Sequence, residues 1–63
     1  MTYTVLICDD ELLERQVLAL IIENSNLPLK IVAETKNGFE AVEKSRILKP
    51  DILLIDIKMP GKD

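Results

Sequence analysis

Short apolar runs alternate along the chain with longer amphipathic stretches, and turn-forming residues separate them. Val5-Leu6-Ile7-Cys8 is a continuous apolar run, the pattern of a parallel strand covered on both faces, and it predicts a strand over 4–8. Between 12 and 23, Leu13, Val17, Leu20 and Ile21 recur at helical spacing, with Glu14, Arg15, Gln16 and Glu23 filling other positions. Those four apolar residues are the expected buried face of a helix. Asp9 or Asp10 can cap it, and Glu11 and Glu14 favour its positive end. Asn24-Ser25-Asn26-Leu27-Pro28 is dense in turn formers and ends it. A second strand is expected over 29–35, with Ile31 and Ala33 facing opposite to Lys30, Val32 and Glu34. Its charges suggest a sheet edge. Asn37-Gly38-Phe39-Glu40 has the form of a capping box, with Asn at the N-cap and Glu three residues on. The helix that follows runs through Leu48 and is expected to bury Phe39 or Val42 with Ala41, Ser45 and Leu48, until Pro50 stops it. Ile52-Leu53-Leu54-Ile55 is the third strand, and the most apolar one.

The order strand, helix, strand, helix, strand predicts an α/β fold, a three-layer βαβαβ unit with a helix on each face of a parallel sheet. Right-handed crossovers give the sheet order 2-1-3, with the first strand central. The third strand, apolar on both faces, then sits at an edge with nothing in the chain to cover it. An exposed apolar edge recruits another chain, so a homo-oligomer joined through the third strand is expected.

Composition narrows the function classes. Sixty-three residues make at most one small domain, and domains this short bury only about 60% of their unfolded surface. The content of 48% hydrophobic and 30% charged residues reads as globular rather than disordered. Cys8 is the single cysteine and histidine is absent, which argues against an intrachain disulfide and a zinc site. A net charge of −3 and so few aromatic residues give no nucleic-acid surface to this segment. No apolar stretch approaches the roughly 20 residues of a membrane span, and the N-terminus lacks a secretory signal. A cytoplasmic location is the default expectation.

The chemistry lies in the carboxylates. Asp9 and Asp10 close the first apolar run and Asp56 closes the third. Any one of them alone is most simply a helix cap or a strand terminator. Together, on adjacent parallel strands, they would meet at the carboxyl edge of the sheet, where open α/β sheets bind ligands. Clustered hard oxygens repel one another unless a cation compensates, and Mg²⁺ suits such a set. A carboxylate beside that cation can act as a nucleophile toward a phosphoryl group.

Three segments carry a resemblance: Val5-Leu6-Ile7-Cys8-Asp9-Asp10-Glu11, the stretch Ala33-Glu34-Thr35-Lys36-Asn37-Gly38-Phe39-Glu40-Ala41, and Pro50-Asp51-Ile52-Leu53-Leu54-Ile55-Asp56-Ile57-Lys58-Met59-Pro60-Gly61. In sequence and order they resemble the first half of a response-regulator receiver domain, the phosphoacceptor module of two-component signalling. The resemblance implies a flavodoxin-like receiver fold truncated after its third strand, so that residues 1–63 form a partial receiver domain. It implies that Asp56 accepts a phosphoryl group from a sensor histidine kinase. It also implies a Mg²⁺ site in which Asp10 binds directly, Asp9 helps through water, and Asp56 and the backbone carbonyl of Lys58 complete the set. Transcription control, with DNA binding by another part of the parent, is the output that the family most often implies. The strand elements that would supply a Thr or Ser and a Lys to the phosphoryl group do not occur in these residues.

Cys8 stands where many members carry a valine, and packing explains it better than redox sensing. A rival from another class is a Mg²⁺-dependent phosphohydrolase with an aspartate nucleophile. Those enzymes place a second Asp two residues after the nucleophile, where this chain has Lys58. A self-associating structural half-domain with no activity of its own is the third reading.

Overall fold

The structure, a computed structural model, describes residues 1–56. Its elements are β1 (Tyr3–Asp9), α1 (Leu12–Asn24), β2 (Leu29–Thr35), α2 (Gly38–Leu48) and β3 (Ile52–Asp56). The strands form one parallel sheet in the order β2-β1-β3, as the crossover argument requires. No helix among the described residues is long and apolar enough to cross a membrane.

Val5 to Asp9 are completely buried because β1 has a strand on each side and a helix over each face. Side chains alternate across a strand, so this one run feeds two cores. Val5 and Ile7 pack with Ala19 and Ile22 of α1, flanked by Leu18, Leu29, Ile31 and Ile52. Leu6 and Cys8 pack on the other face with Ala41 of α2 and with Ala33.

The helices meet the sheet through smaller contacts than the apolar spacing predicts. Leu13, Val17, Leu20 and Ile21 are exposed, Leu13 at 75%, and the buried residues of α1 are Ala19 and Ile22. The reason is placement. Helix α1 packs chiefly on β1 and β2 and meets β3 only through side chains near its ends, so much of its apolar stripe runs past the strands it covers. In α2 the buried residue is Ala41, with Ser45 partly buried, while Phe39, Val42 and Leu48 are exposed, Phe39 at 72%. Among the described residues neither helix backbone lies close over the middle of β3, where Leu53, Leu54 and Ile55 are exposed.

Strand β2 departs from simple alternation. Its pairing with β1 shifts between Val5 and Leu6, which face Ile31 and Ala33, so Val32 is an extra residue. A bulge of this kind inverts the facing of everything beyond it. Ile31 therefore joins the α1 side and Ala33 the α2 side, instead of sharing a face.

The caps also differ in detail. The N-cap of α1 is Glu11, whose side chain makes no cap bond, rather than Asp9 or Asp10. Asn37 caps α2 through Oδ1, accepting from the Glu40 amide at 2.8 Å. Glu40 reaches back to accept from the Lys36 amide at 3.3 Å, one residue before the partner a capping box would use. Lys49, with φ 48 and ψ 59, ends α2 in the left-handed conformation, and Pro50 follows.

A polar latch fixes the β3 register. The Thr4 amide donates to Asp51 Oδ2 at 2.8 Å, and the Asp51 amide donates to the Thr4 carbonyl and hydroxyl, each at 3.0 Å. Val5 then faces Ile52, and four pairs later Asp9 faces Asp56. Replacing Asp51 with Ala removes the side-chain half of the latch. It should lower unfolding stability by about 1 kcal/mol, well below the roughly 2–5 kcal/mol expected for Leu6→Ala; urea unfolding followed by circular dichroism compares the two.

Candidate functional site

The site forms where β1 and β3 end. Parallel strands in register bring Asp9 and Asp56 side by side, and the first turns of α1 pass over them. Carboxylate oxygens of Asp9, Glu14 and Asp56 lie within 4.8 Å of one another. The three line a cavity of about 330 Å³ whose other walls are Leu13, Val17 and Leu18.

Asp9 is the fixed member. It is fully buried, and its Oδ1 accepts from the Glu11 amide at 2.9 Å. Its backbone carbonyl accepts from Arg15 Nη1 at 2.7 Å. Arg15 Nε lies 3.9 Å from Glu34, so that guanidinium bridges the strand end to β2 through the Asp9 main chain rather than its carboxylate. Asp9 Oδ2 has no hydrogen-bond partner among the described residues. A buried carboxylate oxygen without a donor is costly, and two further carboxylates beside it add repulsion. One divalent cation relieves both, and an all-oxygen donor set fits Mg²⁺. The residues present therefore fit the ion.

Of the positions the sequence singles out, the structure brings Asp9 and Asp56 together. Asp10 is exposed and outside the three-carboxylate group. The backbone carbonyl of Lys58 lies outside the described residues. Glu14 is the member that spacing alone leaves among the acids favouring the helix start. A usable signal exists: three residues after the N-cap, its side chain leans toward the helix N-terminus and so over the strand ends. Cys8 is a buried free thiol whose Sγ donates to the Asn37 carbonyl at 3.3 Å, in keeping with a packing role beside the α2 cap.

The response regulator receiver domain profile matches residues 5–63 of this chain. A protein-glutamate methylesterase/protein-glutamine glutaminase of Idiomarina loihiensis is 45% identical over 60 residues, covering 95% of this chain and 15% of that protein. The chemotaxis protein CheY of Listeria monocytogenes is 43% identical over 58 residues, 92% of this chain and 47% of that protein. An uncharacterized transcriptional regulatory protein of Bacillus subtilis, YesN, is 39% identical over 61 residues, covering 97% of this chain and 17% of that protein. Among solved structures, the response regulator domain of Thermotoga maritima CheB superposes with a TM-score of 0.86 at 41% identity, over 100% of this chain and 46% of that one. The chain spans less than half the length of each of these relatives.

Charge crowding at the strand ends has a measurable consequence. With a chelator present, Asp56→Asn should be more stable than the parent by about 0.2–1 kcal/mol, because a like charge opposite Asp9 is gone. Saturating Mg²⁺ should stabilise the parent by mass action and the variant much less. Urea unfolding with and without Mg²⁺ reads both effects; a variant less stable in the chelator would contradict the crowding.

Proposed function

The chain belongs to the response regulator receiver domain family, and on that premise we propose that Asp56 is its phosphoacceptor, with Mg²⁺ held by Asp9, Asp10, Asp56 and the backbone carbonyl of Lys58. A receiver is a signalling module and not a free-standing enzyme. The observation that carries the reading is the β1–β3 register: it sets Asp56 opposite Asp9, whose buried Oδ2 has no donor among the described residues.

The donor is a phosphohistidine on a sensor histidine kinase in the cytoplasm. An Asp56 oxygen attacks phosphorus in line, the phosphorus–nitrogen bond breaks, and its electron pair returns to the imidazole. Mg²⁺, when bound, neutralises the phosphoryl oxygens as this happens. Asp9 is held by the Glu11 amide and is buried with the β1 core, so it holds a fixed position while the more exposed Asp56 meets the donor. The phosphohydrolase alternative is disfavoured by Lys58, which stands where those enzymes place their second Asp.

The output is left open by this segment. The relatives similar to it include a methylesterase, a chemotaxis protein and a transcriptional regulatory protein, and transcription control is one of these three kinds. DNA binding would then belong to another part of the parent.

Incubating the intact protein with acetyl phosphate and Mg²⁺ should add one phosphoryl group, seen by intact mass, and Asp56→Asn should abolish it. Equal labelling of the variant would refute the assignment.

A second reading concerns the 63-residue chain by itself and rests on the uncovered β3 edge with Leu53, Leu54 and Ile55 exposed. Such an edge pairs with another, and a two-fold dimer through β3 would make a continuous sheet. Sedimentation at micromolar concentration should show a dimer that Leu54→Lys weakens; a monomer with a cooperative melt would sink this idea.

A further inference from the structure

Asn37-Gly38 is the one Asn-Gly dipeptide in the chain, and the helix cap accounts for the Asn without calling for the Gly. Glycine is a poor residue for the interior of a helix. Nor does space require it: a Cβ built on Gly38 would meet nothing within 4 Å. What the pair carries is chemistry. Asparagine is a thermolabile residue, and both residues are exposed. A glycine offers its amide nitrogen to the preceding side chain with no Cβ in the way. That amide stands at the first position of α2, where a helix has no acceptor of its own for it.

The second observation is what restrains the reaction. Asn37 is extended, with φ −149 and ψ 167, and its Oδ1 accepts from the Glu40 amide at 2.8 Å. To close a succinimide ring from Cγ onto the Gly38 nitrogen, the peptide plane must turn toward the side chain. The cap bond and the extended ψ are then lost together. The main-chain carbonyl of Asn37 is tied as well, accepting from the Ala41 amide at 3.1 Å and from the Cys8 thiol at 3.3 Å.

We propose that Asn37 is a site of spontaneous deamidation and that the α2 cap gates it, so that modification follows opening of the first turn. Such local opening costs less than global unfolding. The Gly38 nitrogen, its proton lost to solvent, bonds to Asn37 Cγ. The Cγ–Nδ2 bond breaks, and its electron pair leaves on ammonia, which takes a proton from water. Water then opens the ring on one of two sides. Opening at Cγ leaves an aspartate, which keeps the cap oxygen and adds a charge that a helix start favours. Opening at the main-chain carbonyl carbon leaves an isoaspartate, and the chain then runs through the former side chain. The carbonyl that received Ala41 and Cys8 becomes a free carboxylate beside the Leu6, Cys8 and Ala41 core. One product tightens α2 and the other unties it.

Incubation of the intact protein in mildly alkaline buffer, followed by peptide mass spectrometry, tests this. Exchange of the amide for an acid should appear at Asn37, while Asn24 and Asn26, followed by Ser25 and Leu27, change more slowly. Urea that unfolds the chain should speed the reaction at Asn37 about five- to thirtyfold, the factor expected from a cap and its first turn. Gly38→Ala should slow it in buffer and in urea alike. Glu40→Ala, which removes the acceptor of the Lys36 amide, should speed it in buffer about two- to tenfold and leave the rate in urea unchanged. Equal rates in buffer and urea, or an unchanged buffer rate in Glu40→Ala, would overturn the gate. Asn37 changing no faster than Asn26 in urea, or Gly38→Ala reacting as fast as the parent there, would overturn the site.

Discussion

Strand β1 is hydrogen-bonded to β2 on one side and β3 on the other, and its residues Val5 to Asp9 are removed from water. Burial of an apolar strand on two faces is the main favourable term available to so small a chain, and it carries Asp9 into the interior with the rest. A carboxylate at the buried end of a strand needs compensation. The Glu11 amide supplies part of it on Oδ1. What remains, an open Oδ2 facing a cavity, is the feature on which the chemistry of the molecule turns. Stability and function thus draw on the same strand, and they pull on its last residue in opposite directions.

The two faces are unequal. The α1 side gathers Val5, Ile7, Ala19 and Ile22 with four partly buried neighbours, whereas the α2 side rests on Leu6, Cys8 and Ala41. The thinner side is tied by a directional contact, the Cys8 thiol on the Asn37 carbonyl, beside the side-chain cap of α2. Small residues at both helix contacts let the backbones approach closely, and close approach of α1 is what brings Glu14 over the strand ends.

Much of this was legible in the sequence. Unbroken apolar runs marked β1 and β3, turn formers marked the breaks, Asn37 marked the start of α2, and chirality fixed the sheet order. The adjacency of Asp9 and Asp56 followed from those alone. The buried face of α1 did not, because Ala19 is a weak hydrophobic signal and the larger residues Leu13 and Val17 extend beyond the strands the helix covers. Glu14 was hidden for a related reason: spacing reports which residues share a helix face, and not where the helix sits on the sheet. The extra residue in β2 left no mark, since Val32 suits a regular strand as well as a bulged one.

That odd residue sets the phase of everything downstream in β2. With it, Thr35 stands opposite Cys8, buried, with its hydroxyl donating to the Ile7 carbonyl at 3.2 Å, and Glu34 stays at the surface near Arg15. Were Val32 instead paired in a regular ladder, Glu34 would take the place opposite Cys8, and an acid would be driven into the α2 core. Deleting Val32 would leave Ala33, Glu34 and Thr35 opposite their present partners, whereas straightening the bulge with Val32 retained would act like a frameshift in polarity, exchanging a neutral hydroxyl for a charge at the heart of the sheet.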